Sequence, residues 1–429
     1  MKVEKQSTKL ITPLVPTAPT LRHYKLGFID EFVGAADVRV VLFFSANGTR
    51  HNTNNAVTRL EQSLKQTLTR LYPLAGRYVE ETHTIDCNDQ GAKFIYANAN
   101  IKLEDLFLVF KGDNIKFIDD LIPSKIGAIH KYSDSLLATQ VTTFECGGIA
   151  IGVSATHKIV DASTLCTIIN EWASINREEN ETKLTGPGFN SSLLLPARGL
   201  NSIPVQPMSD ETIHMFTRKK VSFSESVISN MKSKGHNNST RRWSKVQLVA
   251  AIIWKTFMRV DRAKRDHQRE SILIQAVNLR ERMGSLTIPK NSCGNFWGLC
   301  TTDFYDTDEA TEDMVDRLSD SVKQTISKFS KGRDGEEGQE RVLNSLTSNM
   351  NKIYLFSNVV IVTSWCKFPF YEAEFGFGKP VWVAPGTIPA SSMAYLMDDA
   401  QGDGLEAHVF LEVKDVPCFE EALNHVIMH

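Results

Sequence analysis

The sequence has almost no net charge: 48 Lys and Arg stand against 50 Asp and Glu, a formal −2. A partner that binds a phosphate backbone needs a surplus of clustered cations, so nucleic acid is not expected. No apolar run reaches membrane-spanning length, and the N-terminal stretch MKVEKQSTKLITPLVPTAPT is broken by charges and prolines where a secretory signal needs a continuous apolar core. The chain therefore reads as cytoplasmic, with no membrane partner. Cysteine is sparse as well: seven residues, at 87, 146, 166, 293, 300, 366 and 418, with no C-x-x-C pair and no histidines at ligand spacing. Neither a disulfide framework nor a zinc site is expected, and no metal is called for. Internal repeats and low-complexity tracts are missing, and so is a G-x-S-x-G elbow, which sets a serine hydrolase aside. Nothing in the chain requires an oligomer, so a monomer is expected.

What is present is an ordinary globular composition, 42% hydrophobic and 23% charged over 429 residues, enough for two or three domains. Short apolar runs rich in β-branched and aromatic residues predict strands at Val38 to Phe44, Ile272 to Val277, Asn358 to Thr363 and Leu405 to Leu411. Helical spacing predicts helices through Val57, Leu60, Leu64, Leu68 and Leu71 up to Pro73, and over Leu165 to Trp172, Val246 to Met258 and Val315 to Phe329. The mixture is an α/β chain with sheets in both halves. Arg177 to His214 is rich in turn and breaker residues without a sustained period, and reads as a long crossover. Lys331 to Glu340, KGRDGEEGQE, reads as a mobile surface loop.

The stretch Ser154 to Ser163, SATHKIVDAS, sets an imidazole and a carboxylate four residues apart directly after the run Ile149 to Val153. Ile149, Ile151, Val153 and Ala155 alternate with smaller residues, so period-two counting puts His157 on the apolar face where a buried strand ends. Leu137 to Phe144 can pair with that strand through a turn at Cys146, Gly147 and Gly148. A helical i,i+4 pair would need both residues in one helix, which the strand pattern opposes. A metal site would need further ligands nearby, and none stand at the right spacing. Two readings remain open on spacing alone: a general base reaching a cleft, which imidazole suits because it titrates near neutral pH, or a core histidine satisfied by a backbone carbonyl.

Read with the rest of the chain, His157-Lys158-Ile159-Val160-Asp161 resembles the first signature, H-x-x-x-D, of the plant BAHD family of coenzyme A-dependent acyltransferases. The second signature of that family, D-F-G-W-G, is matched by Glu374-Phe375-Gly376-Phe377-Gly378. Further family-like stretches are YPLAGR (Tyr72 to Arg77), DCNDQG (Asp86 to Gly91), FECGGIAIG (Phe144 to Gly152), QAVNLRERM (Gln275 to Met283), TSWCKFPFY (Thr363 to Tyr371) and DGLEA (Asp403 to Ala407), in family order. The nearest likeness is to acetyltransferases that act on alkaloid and terpenoid alcohols.

The resemblance implies two chloramphenicol acetyltransferase-like domains, here residues 1–178 and 213–429, joined by a crossover at 179–212 and with an active-site channel between them. It implies an acyl-CoA co-substrate, acetyl-CoA in the first instance, and a hydroxyl of a plant specialised metabolite as acceptor. A longer aliphatic or hydroxycinnamoyl donor, an amine acceptor and a non-catalytic ligand-binding homologue are the alternatives. His157 then takes the acceptor's proton and returns one to the departing thiolate. Asp161 pairs with Arg280, in the stretch that begins at Asn278, and so fixes the loop. Thr363 and Trp365 face the tetrahedral intermediate, with strand and core packing as their plain alternative. Glu374, Gly376 and Gly378 are architectural, and the changes to glutamate at 374 and phenylalanine at 377 predict a shifted domain contact without loss of catalysis. Ser244 and Lys245 lie near the cofactor entrance, although an exposed basic helix start would look the same.

Overall fold

A computed structural model describes residues 1–428 apart from 47–52, 112–114, 129–130, 132, 178–187, 236–242, 266–268, 284–286, 305–309 and 332–334. The fold is mixed α/β, in two units that each contain a six-stranded sheet. The first unit is Met1–Ser209 with Lys290–Phe296 and Phe368–Thr387; the second is Asp210–Pro289, Trp297–Lys367 and Ile388–His429. This partition is drawn differently from the linear division at 178 and 213. Two pieces of the later chain are built into the first unit, and the described part of the crossover belongs to it up to Ser209. Residues 179–187 of that crossover lie outside the described residues.

In the first unit the strand order is Val3–Ile11, Ala92–Ala99, Leu137–Phe144, Ile149–Thr156, Asp37–Phe44 and Trp382–Pro385. All neighbours are antiparallel except Ala92–Ala99 with Leu137–Phe144. Ile149–Thr156 is flanked by strands on both sides and every residue in it is buried. Its hairpin with Leu137–Phe144 closes through Gly147, whose φ of +86° is one that glycine adopts at no steric cost. The leucines at 60, 64 and 68, all fully buried, form one face of the helix Thr53–Arg70, against which the helix Ala162–Asn176 packs. Trp172 joins the two helices: its indole N–H donates to the Leu60 carbonyl at 3.1 Å and the Ser63 hydroxyl at 2.9 Å.

The crossover is not featureless. Gly188–Phe189 pairs in parallel with Ser292–Cys293, and Ser191–Leu194 forms a helical turn. Farther on it is tied to the short helix Phe28–Phe32, since the Glu31 carboxylate accepts from the backbone N–H of Arg198 and Leu200, and Ile203 N–H donates to Phe32.

The second unit orders its strands as Phe216–Phe223, Leu405–Glu412, Met393–Asp398, Asn358–Ser364, Ser271–Asn278 and Trp297–Phe304. The two pairs on either side of Asn358–Ser364 are parallel. Val360, Val362, Leu273, Ala394, Leu396, Ala407 and Val409 point to one face, where Ile252, Ile253 and Trp254 of the helix Lys245–Lys264 close an apolar core. The helices Thr311–Ser330 and Val416–Met428 complete it through Met314, Leu318 and Phe419. Of the loop expected at Lys331 to Glu340, residues 332–334 lie outside the described residues and the rest is corrected: a helix starts at Gly335 and runs to Ile353. Glu336 and Glu337 sit in its first turn, where acidic residues oppose the positive end of the helix dipole, and Glu337 pairs with Arg341 one turn on. Among the described residues no helix is long and apolar enough to cross a membrane.

Candidate active site

His157 is the first residue beyond the central strand Ile149–Thr156, so its backbone is rooted in the sheet. Its N–H donates to the Ala36 carbonyl at 2.8 Å, continuing the ladder by one step, and its own carbonyl accepts from the Asn295 side-chain amide at 2.7 Å. Ile159 and Val160, both fully buried, then carry the chain to Asp161, which caps the helix Ala162–Asn176. The first signature is thus a strand end, two apolar anchors and a helix N-cap.

The imidazole itself is half-buried. Nδ1 is sealed from solvent and has no hydrogen-bond partner among the described residues. Burial holds its pKa below the ordinary 6.5, against the opposing pull of the Asp161 carboxylate. The ring is therefore neutral at neutral pH and able to accept a proton.

Asp161 is buried, and its two oxygens serve two backbone donors. Oδ1 accepts from Thr164 N–H at 2.8 Å and Oδ2 from Phe296 N–H at 3.1 Å. Those bonds fix the loop in the way an N-cap does. Within the segment Lys290–Phe296, residues 294 to 296 are bound to the elements around the histidine. Thr164 Oγ1 donates to the Gly294 carbonyl at 2.8 Å while accepting from its N–H at 3.1 Å, and Gly294 has a φ of +129°. A Cβ there would lie 2.5 Å from that of Ser191, so no other residue fits. Asn295 then reaches Asp30, in the helix Phe28–Phe32. Its backbone N–H and its side-chain amide donate to Asp30 Oδ1 at 2.9 and 2.8 Å. Asp30 Oδ2 accepts from Gly27 N–H at 2.9 Å and from the Ser191 hydroxyl, which also bonds the Tyr24 phenol at 2.7 Å. Burial pushes the Asp30 pKa up to about 6, and the Ser191, Gly27 and Asn295 donors oppose that shift.

Asp30 and Asn295 carry no signal of their own in the sequence. The nearest clue is glycine at 294 inside the buried-looking stretch Ser292 to Phe296. Lys158, beside the histidine, is also buried; its ammonium donates to the Glu31 carbonyl at 3.1 Å and to Ser202, fastening the crossover. Burial lowers its pKa to about 8, opposed by Asp30, Glu80 and Glu31.

The second signature is also in the first unit and is a backbone cup. Glu374 Oε1 accepts from the N–H of Gly376 at 2.5 Å and Gly378 at 3.1 Å, and Oε2 lies 3.3 Å from Arg177. Both glycines have left-handed φ, +92° and +101°. Phe377 packs edge-on against Phe44 at 4.9 Å, and Phe375 against Trp172 at 5.1 Å. The ring at 377 is held by packing alone, which is why a phenylalanine serves there.

The other named residues lie in the second unit. Asn278 ends its strand, and its Oδ1 accepts from Arg280 N at 3.1 Å and Nη1 at 3.2 Å; Arg280 is buried. Thr363 is half-buried in the parallel strand next to Ser271–Asn278, and Trp365 is buried just beyond that strand's end, stacked on Tyr395 at 4.9 Å. Ser244 is exposed and caps the helix Lys245–Lys264, accepting from Gln247 N–H at 3.1 Å. Lys245 pairs with Asp398 at 2.7 Å and donates to the carbonyls of Gly402 and Gly404. Among the described residues no three His, Cys, Asp or Glu side chains are grouped as metal ligands would be.

The family model described as the Transferase family matches residues 1–426. The chain belongs to this family, the BAHD acyltransferases. It is an acyl-transferring enzyme of mixed α/β fold. Among its BAHD relatives is the pelargonidin 3-O-(6-caffeoylglucoside) 5-O-(6-O-malonylglucoside) 4'''-malonyltransferase of Salvia splendens, 33% identical over 98% of both chains. Another is the stemmadenine O-acetyltransferase of Catharanthus roseus, also 33% identical, over 94% of this chain and 92% of that one. The crystal structure of vinorine synthase is similar throughout, with a TM-score of 0.85, 29% identity, and coverage of 99% of this chain and 98% of that chain.

Proposed function

We propose that this enzyme transfers an acyl group, acetyl in the first instance, from a coenzyme A thioester to a hydroxyl of a plant specialised metabolite, with His157 as general base. The observation that carries the proposal is a half-buried histidine at a strand end, pinned at both of its backbone polar groups, whose pKa burial holds below the ordinary value. The acceptor hydroxyl gives its proton to the imidazole as its oxygen attacks the thioester carbonyl. The C–O bond forms, the C–S bond breaks, and the same proton passes to the departing thiolate sulfur. No acyl-enzyme is needed, because the thioester is already activated and orientation supplies the remaining advantage.

In this reading Asp161 fixes the loop, and its two backbone bonds support that over a hydrolase-like triad role. Its pairing with Arg280 is part of the proposal. Thr363 and Trp365 are the proposed donors to the thioester oxygen, on the chemistry of a hydroxyl and an indole N–H. Ser244 and Lys245 are the proposed cofactor-phosphate partners; a phosphate would compete with Asp398 for the Lys245 ammonium. We assign the reaction to a single chain in the cytoplasm, on the sequence grounds given above.

A second reading, malonyl as the acyl group, is favoured by the Salvia splendens relative, whose name specifies that donor. Release of free thiol from acetyl-, malonyl- and hydroxycinnamoyl-coenzyme A, each with pooled plant alcohols and then amines, separates the alternatives. Acceptor-dependent release with acetyl-coenzyme A and alcohols is the expected result; release with malonyl-coenzyme A alone would replace acetyl by malonyl, and release only with amines would replace the hydroxyl.

The pH dependence follows from the burial of His157. Only the neutral ring accepts a proton, so kcat/KM rises with pH through the folded-state pKa and is flat above it. Because that pKa is depressed, the midpoint of the acid limb is expected below 6.5 in a profile of kcat/KM against pH. A midpoint at or above 6.5 would contradict a buried, neutral base.

A further inference from the structure

Asp30 is fully buried, lies 127 residues before the histidine in sequence, and has no part in the chemistry just described. It nonetheless holds the group that holds His157. The Asn295 side-chain amide has two hydrogens, and the structure uses both: one on the His157 carbonyl at 2.7 Å, the other on Asp30 Oδ1 at 2.8 Å. The backbone N–H of Asn295 is bound to the same oxygen at 2.9 Å, which sets the direction of the amide before it meets residue 157. An ionised carboxylate is the one side chain of this size that accepts from all four surrounding donors and presents none of its own. An apolar residue would fill the space without the desolvation cost of a carboxylate, but it could not orient the Asn295 amide.

We propose that Asp30 is a positioning residue for acyl transfer: through the Asn295 amide it fixes the peptide from which the His157 imidazole projects. Ser191 and Tyr24 complete the mooring, since the hydroxyl that bonds the Tyr24 phenol also bonds Asp30. The inference rests on His157 as the base. An error of about 1 Å in the position of a catalytic group can cost on the order of 100-fold in rate. Loss of the bridge is therefore expected to lower kcat while leaving the substrate-binding surfaces, and hence KM, unaltered.

The experiment compares His157→Ala, Asp30→Ala, Asp30→Asn and Asn295→Ala with the parent, using acceptor-dependent thiol release for kcat and KM and thermal melting for folding. Asp30→Ala is expected to lose about 10- to 100-fold in kcat with KM within about twofold. Asp30→Asn sets its new amide against the Gly27 N–H but keeps an acceptor for both Asn295 donors, and is expected to regain at least about fivefold over alanine because the bridge to His157 is retained. Should Asp30→Ala fail to fold, Asn295→Ala decides the matter. It leaves Asp30 its bonds to Gly27, Ser191 and the backbone N–H of residue 295, removes only the bridge, and is expected to show the same loss in kcat. Parental kcat in folded Asn295→Ala, with His157→Ala inactive, would overturn the positioning role and leave the base standing. Parental activity in His157→Ala would overturn the base, whatever the other variants do.

Discussion

His157→Ala is expected to lower kcat by about 100- to 10,000-fold, the range over which a positioned general base contributes. KM for both substrates should change little, because the imidazole acts on one proton. The variant should also fold as the parent does. The backbone bonds of residue 157 to Ala36 and Asn295 do not involve the ring, and among the described residues Nδ1 has no partner to lose. Steady-state thiol release in the presence of an alcohol acceptor measures the effect. A kcat within about tenfold of the parent would mean that the proton leaves by another route.

Trp172→Ala is expected to act on stability. The side chain is fully buried, gives its N–H to the helix Thr53–Arg70, and meets Phe375 of the second signature edge-on. Truncating a buried tryptophan costs about 3–5 kcal/mol, and the vacated space would border the helix that Asp161 caps. A drop of several degrees in the first unfolding transition is the expected result, read by calorimetry, with kcat per folded molecule largely retained at low temperature. If melting were unchanged, Phe375 and the glycine cup could not be architectural in the sense described. The substitution also separates the two signatures: the first is tested by rate, the second by heat.

The strands and helices were legible because apolar periodicity is a local property. Val38 to Phe44 and Leu405 to Leu411 read as strands and fold as Asp37–Phe44 and Leu405–Glu412. The place of His157 at a strand end was legible for the same reason. That Asp161 fixes the loop was implied by the resemblance, whereas its place as a helix cap is visible only with the start of a helix at Ala162. That start could have been read from aspartate followed by Ala162, Ser163 and Thr164. The helix at Gly335 was hidden by glycines, since the favourable placement of Glu336 and Glu337 in its first turn is easily outweighed on inspection by breaker residues. Asn295 and Asp30 were out of reach for a different reason. Their bonds span 138 and 265 positions, and no local pattern encodes a partner so far along the chain.

The interleaving of the first unit bears on how the protein is made. Chains emerge from the ribosome N-terminus first and compact units tend to fold as they appear. Here the strand that leads into His157 ends at Thr156, but the peptides that moor the loop after it arrive only with Lys290–Phe296, and the sheet's last strand with Trp382–Pro385. A nascent polypeptide stopped at Ser209 would leave Asp37–Phe44 as an uncovered edge, Asp30 without its two Asn295 donors and Asp161 without the Phe296 N–H. Competence for catalysis is thus deferred until chain well beyond the crossover has been made, and a fragment ending at the crossover is expected to be prone to aggregation.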